Sequence, residues 1–217
     1  MTTEALPKPL NRERLKNAVI ALSEQDSDFA MIYAAHGLPP LLDRPQSFET
    51  LVRIILEQQV SLVSADAMYQ RLKTQLKTLS VSSVLKAEAP FLRSVGVTTQ
   101  KSRYIVNVAE AIDSGELCLH QLAFLDDELA IKKLVDIKGV GPWTAQIYLL
   151  NALLRPNVWP AGDIALATAI KRLKKLEQRP KPDEMKAFAD IWSPYRATAA
   201  RLLWHYYLSD KKGVSTA

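Results

Sequence analysis

An all-α fold is the expectation for this 217-residue chain, and three observations lead to it. Apolar residues recur at helical offsets, as in Phe48, Val52, Ile55, then Met68, Leu72, Leu76, Leu79, then Ile105, Val108, Ala109, Ile112, with the pattern returning from Trp192 to Leu208. Alternating strand patterns are nearly absent. Breakers at Pro39, Pro40, Gly96, Gly115, Gly139, Pro156, Pro160 and Pro180 cut the chain into about ten helices of ordinary length joined by short turns.

The chain is large enough for two small helical lobes, one built largely from 30–120 and a second holding 121–180, with N- and C-terminal helices bridging them. Ser193 and Pro194 are placed to cap and open the last helix. Composition is that of an ordinary soluble protein, with 48% hydrophobic and 24% charged residues and no apolar run long enough to span a bilayer. Residues 1–10 lack the pattern of an export signal, so a cytoplasmic, nucleoid-associated monomer is the expectation.

A single cysteine, Cys118, excludes an intrachain disulfide and a cysteine-ligated iron-sulfur cluster. His36, His120 and His205 never share the i, i+4 spacing of helix-borne metal ligands and read as packing or surface residues. The formal charge of +5 is uneven: residues 1–137 carry 15 basic and 17 acidic side chains, residues 138–217 carry 13 and 6. The C-terminal part is therefore the candidate polyanion side, although on charge alone Lys171, Arg172, Lys174 and Lys175 read as a solvated helix face.

The most specific local feature lies at 126–155. Asp126-Asp127-Glu128-Leu129 opens a helix, Leu134-Val135-Asp136-Ile137 ends it, Lys138-Gly139-Val140-Gly141 forms a turn, and Pro142 starts a second helix. Two glycines around one apolar residue expose backbone amides without a Cβ in the way. The unsatisfied N–H groups and positive dipole end of the next helix make an anion site suited to a DNA phosphate. Taken by itself, a G-x-G turn between helices is as well explained as an ordinary αα-hairpin, with Gly139 after one helix and Gly141 capping the next.

The whole string Leu134-Val-Asp-Ile-Lys-Gly-Val-Gly-Pro-Trp-Thr-Ala145 resembles the helix-hairpin-helix of the HhH-GPD DNA glycosylase superfamily, and in particular its DNA-3-methyladenine glycosylase II group. The resemblance covers roughly 45–208. It implies a two-lobed helical fold with the active-site cleft between the lobes, in a compact form without the N-terminal β-domain of some bacterial members. It also implies double-stranded DNA carrying a damaged base as the partner, gripped by Lys138, Gly139, Gly141 and Thr144.

In Val158-Trp-Pro-Ala-Gly-Asp-Ile-Ala-Leu166, helix statistics make Asp163 an N-cap for Ile164 to Lys175. The resemblance makes it the catalytic carboxylate, matching the aspartate that ends a proline-containing loop. Trp143 stands where glycosylases that also cleave the strand carry a nucleophilic lysine, which implies a monofunctional enzyme without lyase activity. Trp143 and Trp204 match tryptophans that line the base pocket, where an electron-rich ring attracts a cationic purine. Glu57-Gln-Gln-Val-Ser61 resembles the turn whose second variable position, here Gln59, fills the gap left by the flipped base. Val95 to Arg103 resembles a second DNA-facing loop, with Lys101 and Arg103 as phosphate contacts.

By the same resemblance the carbonyls of Val135, Ile137 and Val140 hold a monovalent cation, Na or K, and no cofactor is required. The substrate implied is 3-methyladenine, with 7-methylguanine as a further candidate. Hypoxanthine or ethenoadenine excision is the nearest alternative, since the same rings would hold neutral purines. A non-catalytic DNA-binding hairpin module is the alternative of another class; it would keep Gly139 and Gly141 and have no use for Asp163.

Overall fold

A computed structural model describes residues 6–214, with side chains through Ser209. Among these, eleven α-helices and one 3-10 segment follow one another without a strand: α1 Arg12–Gln25, α2 Ser27–His36, α3 Phe48–Glu57, α4 Leu62–Leu76, α5 Val81–Ser94, α6 Thr99–Asp113, the 3-10 segment Leu119–Phe124, α7 Asp127–Val135, α8 Pro142–Asn151, α9 Ile164–Leu173, α10 Pro182–Ile191 and α11 Arg196–Val214.

The helix starts are written in the sequence. Asn11, Asp26, Ser47, Ser61, Ser80, Thr98, Asp126 and Asp163 each cap a helix through a side-chain oxygen that accepts a first-turn N–H. Pro142 and Pro182 occupy first-turn positions where the missing N–H costs nothing. The apolar stripe of α4 stops at Leu76, because Lys77 turns to φ +60°, and Leu79 is buried from the following turn. In α5 the regular helix is interrupted at Glu88 (φ 59°, ψ 171°), two residues before Pro90.

Two units divide the chain: residues 44–153 form one, and the residues up to Asp43 together with those from Leu154 onward form the other. This partition differs from the expected lobes at 30–120 and 121–180. The hairpin of α7 and α8 belongs with α3 to α6, because α3 packs on α4, α6 and α8 and buries Leu51, Val52, Ile54, Ile55 and Leu56. The second unit is discontinuous, with α11 packed against α1, α2, α9 and α10. Periodicity marks each helix but carries no sign of this long-range pairing.

At the centre of the second unit Trp192 is buried between Phe29 and Trp159, whose ring centroids lie 5.1 and 5.5 Å away. Its indole N–H donates to Asp26 Oδ2 at 3.3 Å, and Lys174 Nζ reaches the same carboxylate at 3.2 Å and Asp28 at 2.7 Å. Lys174, read as part of a solvated basic face, is thus bound internally. Ser193 and Pro194 do not open the last helix: they form the turn after α10, joined by a cis peptide bond, and α11 starts at Arg196. His36 and His205, distant in sequence, pack edge to face with centroids 5.9 Å apart, and His205 Nε2 lies 2.8 Å from the His36 carbonyl oxygen.

Asp26 caps α2, accepts the Trp192 indole and pairs with Lys174. Asp26→Ala should therefore lower unfolding free energy by about 2–3 kcal/mol, the sum of a lost cap and two charge-assisted contacts. A urea midpoint within error of wild type would refute this.

Candidate functional site

In the unit 44–153 the structure gathers the hairpin turn, the end of α3 and one face of α6. The turn is closed by its own backbone: Ile137 N–H donates to Leu134 O at 3.2 Å and Val140 N–H to Ile137 O at 3.0 Å. Gly139 has φ +108°, a conformation L side chains rarely adopt, and a Cβ there would fall inside the Tyr104 side chain. Gly141 differs: at φ −83° it is the N-cap of α8, and a Cβ there would meet nothing within 4 Å. The first glycine is demanded by the fold; the second leaves open space in front of the first amides of α8.

The turn is held from two sides. Gln58 Nε2 donates to Gly139 O at 3.1 Å and to Thr144 Oγ1 at 2.9 Å. Asn107 Nδ2 donates to Lys138 O at 3.0 Å. Lys138 itself is exposed, as a phosphate contact requires. Thr144 is only 1% exposed, so its hydroxyl is committed to Gln58 and not available to DNA as the sequence suggested. Trp143, at the second position of α8, is half-buried.

Lys101 is a second correction. Expected at a phosphate, it is 7% exposed and its Nζ donates to Leu56 O, in the last turn of α3, at 2.7 Å. Burial pushes its ammonium pKa down, while the negative end of α3 favours the charge. Arg103, on the same helix as Lys101, is exposed. Beyond α3, Gln59 is exposed and sits at φ +55°, unusual for a residue with a side chain. Val60, Leu62 and Val63, 40%, 60% and 82% exposed, accompany it in the turn and the first residues of α4.

The other unit carries the carboxylate. The loop Val158 to Ala161 is buried, and Asp163 at its end is 8% exposed. Asp163 Oδ1 accepts the Leu166 N–H at 2.9 Å, capping α9, and the Trp204 indole N–H at 3.2 Å. Trp204 is half-buried on α11, which packs against α9. Capping and the tryptophan bond fix the orientation of the carboxylate, and the cap is the one helix statistics predict.

A profile of the HhH-GPD superfamily of base excision DNA repair proteins matches residues 52–194. The chain belongs to this superfamily. A Bacillus subtilis relative named for DNA-3-methyladenine glycosylase is 30% identical over 186 residues, an alignment covering 82% of this chain and 65% of that protein, so the chain spans just under two thirds of its length. The structure of a DNA-3-methyladenine glycosidase from Bacillus halodurans matches with a TM-score of 0.74 and 29% identity over 90% of this chain and 91% of that one. That of the Schizosaccharomyces pombe 3-methyladenine DNA glycosylase, in complex with abasic DNA, matches with a TM-score of 0.80 at 24% identity over 90% and 97%, which bears on the fold. The matched span of the superfamily profile contains both the hairpin and Asp163.

Sequence reasoning missed Gln58, Tyr104 and Asn107. The i, i+3, i+6 spacing of Lys101, Tyr104 and Asn107 along α6 was visible, but nothing in it named the backbone groups those side chains reach. The two glycines separate experimentally. Gly139→Ala combines a strained backbone with overpacking against Tyr104 and should cost about 2–4 kcal/mol. Gly141→Ala should cost no more than about 1 kcal/mol. Guanidinium unfolding of both variants checks this, and equal losses would contradict the assignment.

Proposed function

We propose that the protein is a monofunctional DNA glycosylase that extrudes cationic alkylated purines, 3-methyladenine and also 7-methylguanine, from duplex DNA and hydrolyses their N-glycosidic bond, leaving an abasic site. The observation that carries the reading is the buried Asp163 carboxylate, oriented by Leu166 N–H and the Trp204 indole, in a chain of the superfamily that also holds the glycine hairpin. The names of the relatives support the substrate class.

In the reaction the C1′–N bond breaks with its electron pair going to the base. An alkylated purine already carries positive charge and departs neutral, so no general acid is needed. The sugar becomes oxocarbenium-like, and Asp163 stabilises it. At about 3.5 Å and an effective dielectric near 20 the attraction is roughly 5 kcal/mol, on the order of three to four decades in rate. Water then adds to C1′ and its proton passes to Asp163 or to solvent. Trp204, which holds Asp163, supplies a ring face for the extruded base, worth about 0.5–2 kcal/mol for a cation over a ring. Tryptophan at 143 offers no amine for a Schiff base, so the strand is not cleaved.

On the DNA side, the first amides of α8, the open face of Gly141 and the ammonium of Lys138 grip phosphate, and Gln59 fills the vacated stack. The carbonyls of Val135, Ile137 and Val140 would hold a monovalent cation. Neutral backbone oxygens with no carboxylate among them suit a singly charged ion better than a transition metal. Such an ion would brace the turn beside the phosphate.

Chromatography of bases released from methylated duplex DNA tests the reading. Wild type should release 3-methyladenine, and Asp163→Asn should lose about three orders of magnitude in rate. Asn caps a helix as well as Asp does and can still accept from Trp204, so its unfolding midpoint should stay close to wild type. Unchanged release by this variant would overturn the role of Asp163. Borohydride should trap no covalent adduct with DNA; an adduct would overturn the monofunctional reading. Separately, binding to duplex DNA should weaken with salt, and Lys138→Ala should reduce the slope of log K against log salt by about one. An unchanged slope would remove Lys138 from the phosphate contacts.

A further inference from the structure

We propose that Gln58 and Lys101 are positioning residues that set the turn bearing Gln59 in register with the phosphate-gripping hairpin, so that the stack is entered at the nucleotide the hairpin holds. The inference rests on the glycosylase reading above. Neither residue needs to touch the reacting atoms.

Four observations converge within the unit 44–153. Gln58, the C-cap of α3 and neighbour of Gln59, uses its one amide to join Gly139 O and Thr144 Oγ1, which lie on the two sides of the Gly141 cap. Lys101 holds Leu56 O, two residues before Gln58, with a buried ammonium. Lys101 shares its helix face with Tyr104 and Asn107, which meet Gly139 and Lys138 O. Helix α6 therefore anchors both the end of α3 and the hairpin, and Gln58 closes the link between them. Finally, Gln59 is held at φ +55°, a conformation unfavourable for a side-chain-bearing residue that needs surroundings to impose it.

A loose link should hurt extrusion more than chemistry. Extruding a stacked base is costly, least so for one already unpaired, and small displacements of a positioning group cost up to about 100-fold in rate. The variants are Gln58→Leu, Thr144→Val, which breaks the same link from the other side, their double, and Lys101→Met.

Single-turnover base release is measured on methylated lesions in a fully paired duplex and on the same lesions placed opposite an abasic gap. For the variants, release from the paired duplex should fall about 10- to 100-fold, and release from the unpaired context should stay within about threefold of wild type. The Gln58→Leu, Thr144→Val double should fall no further than its worse parent, because one link is cut twice. Equal losses in both contexts, which a merely destabilised fold would give, overturn the proposal, as does no loss. If Lys101→Met fails to fold by circular dichroism, the two variants of the Gln58 link decide alone.

Should wild type release no base from either substrate, the glycosylase reading fails by itself. The register is then read from the fluorescence of 2-aminopurine placed beside an abasic-site analogue. A smaller rise with Gln58→Leu than with wild type, at saturating protein, supports positioning; equal rises overturn it.

Discussion

Everything in the unit 44–153 that concerns the hairpin depends on the close approach of α6 to Gly139. With φ +108° and the Tyr104 side chain where a Cβ would be, this residue can only be glycine, and the chain reverses there directly against α6. Once the reversal is fixed, the neighbouring carbonyls of Lys138 and Gly139 point at donors from Asn107 and Gln58. The result is a turn whose oxygens are engaged inside the unit and whose next helix begins with open space at Gly141. Polarity is sorted by the backbone: the carbonyls of Lys138 and Gly139 are bound by side chains, and the following helix start presents the positive end of its dipole.

Asp163 carries the same economy of construction. Its Oδ1 closes α9 and receives the Trp204 indole, so the orientation of the carboxylate comes with the helix start and needs no further scaffold. Capping and catalysis are commonly treated as rival explanations of an aspartate at a helix start. Here they are compatible, because a cap needs only an acceptor and the proposed chemistry needs a charge. Asparagine supplies the first without the second, which is why stability and activity are expected to part company at this residue.

Helix existence was legible from periodicity, and helix starts from residues such as Asp126, Pro142 and Asp163, since these depend on neighbours three or four positions away. Long-range side-chain commitments were not. Lys101 and Lys138 are both lysines beside a turn that a DNA-binding chain would use, yet one is buried on Leu56 O and the other exposed. Thr144 and Lys174 are likewise engaged by partners far away in sequence, Gln58 and Asp26. The partition into units was illegible for the same reason: α1 and α2 join the elements after 153 through packing on α11, and no local pattern announces a discontinuous unit.

The C-terminal excess of basic residues looked like the sign of a polyanion partner, but much of it is already committed. Arg155 and Arg201 are buried, Lys174 is paired with Asp26 and Asp28, Arg196 with Asp190, and Arg172 lies over the Tyr207 ring. Arg201 is held so deeply that desolvation lowers its pKa to about 9, with Nε donating to Leu41 O and Nη1 to Ala197 O. Net charge therefore overstates what this region can offer DNA. The proposed grip through peptide N–H groups at a helix start would not draw on that charge; it would depend on shape, which the pinned Gly139 turn supplies. On the proposed reading, exposed cations such as Lys138 add the salt-dependent part of binding, and the contacts that set the register, Gln58 and the buried Lys101, lie inside the protein where salt screens little.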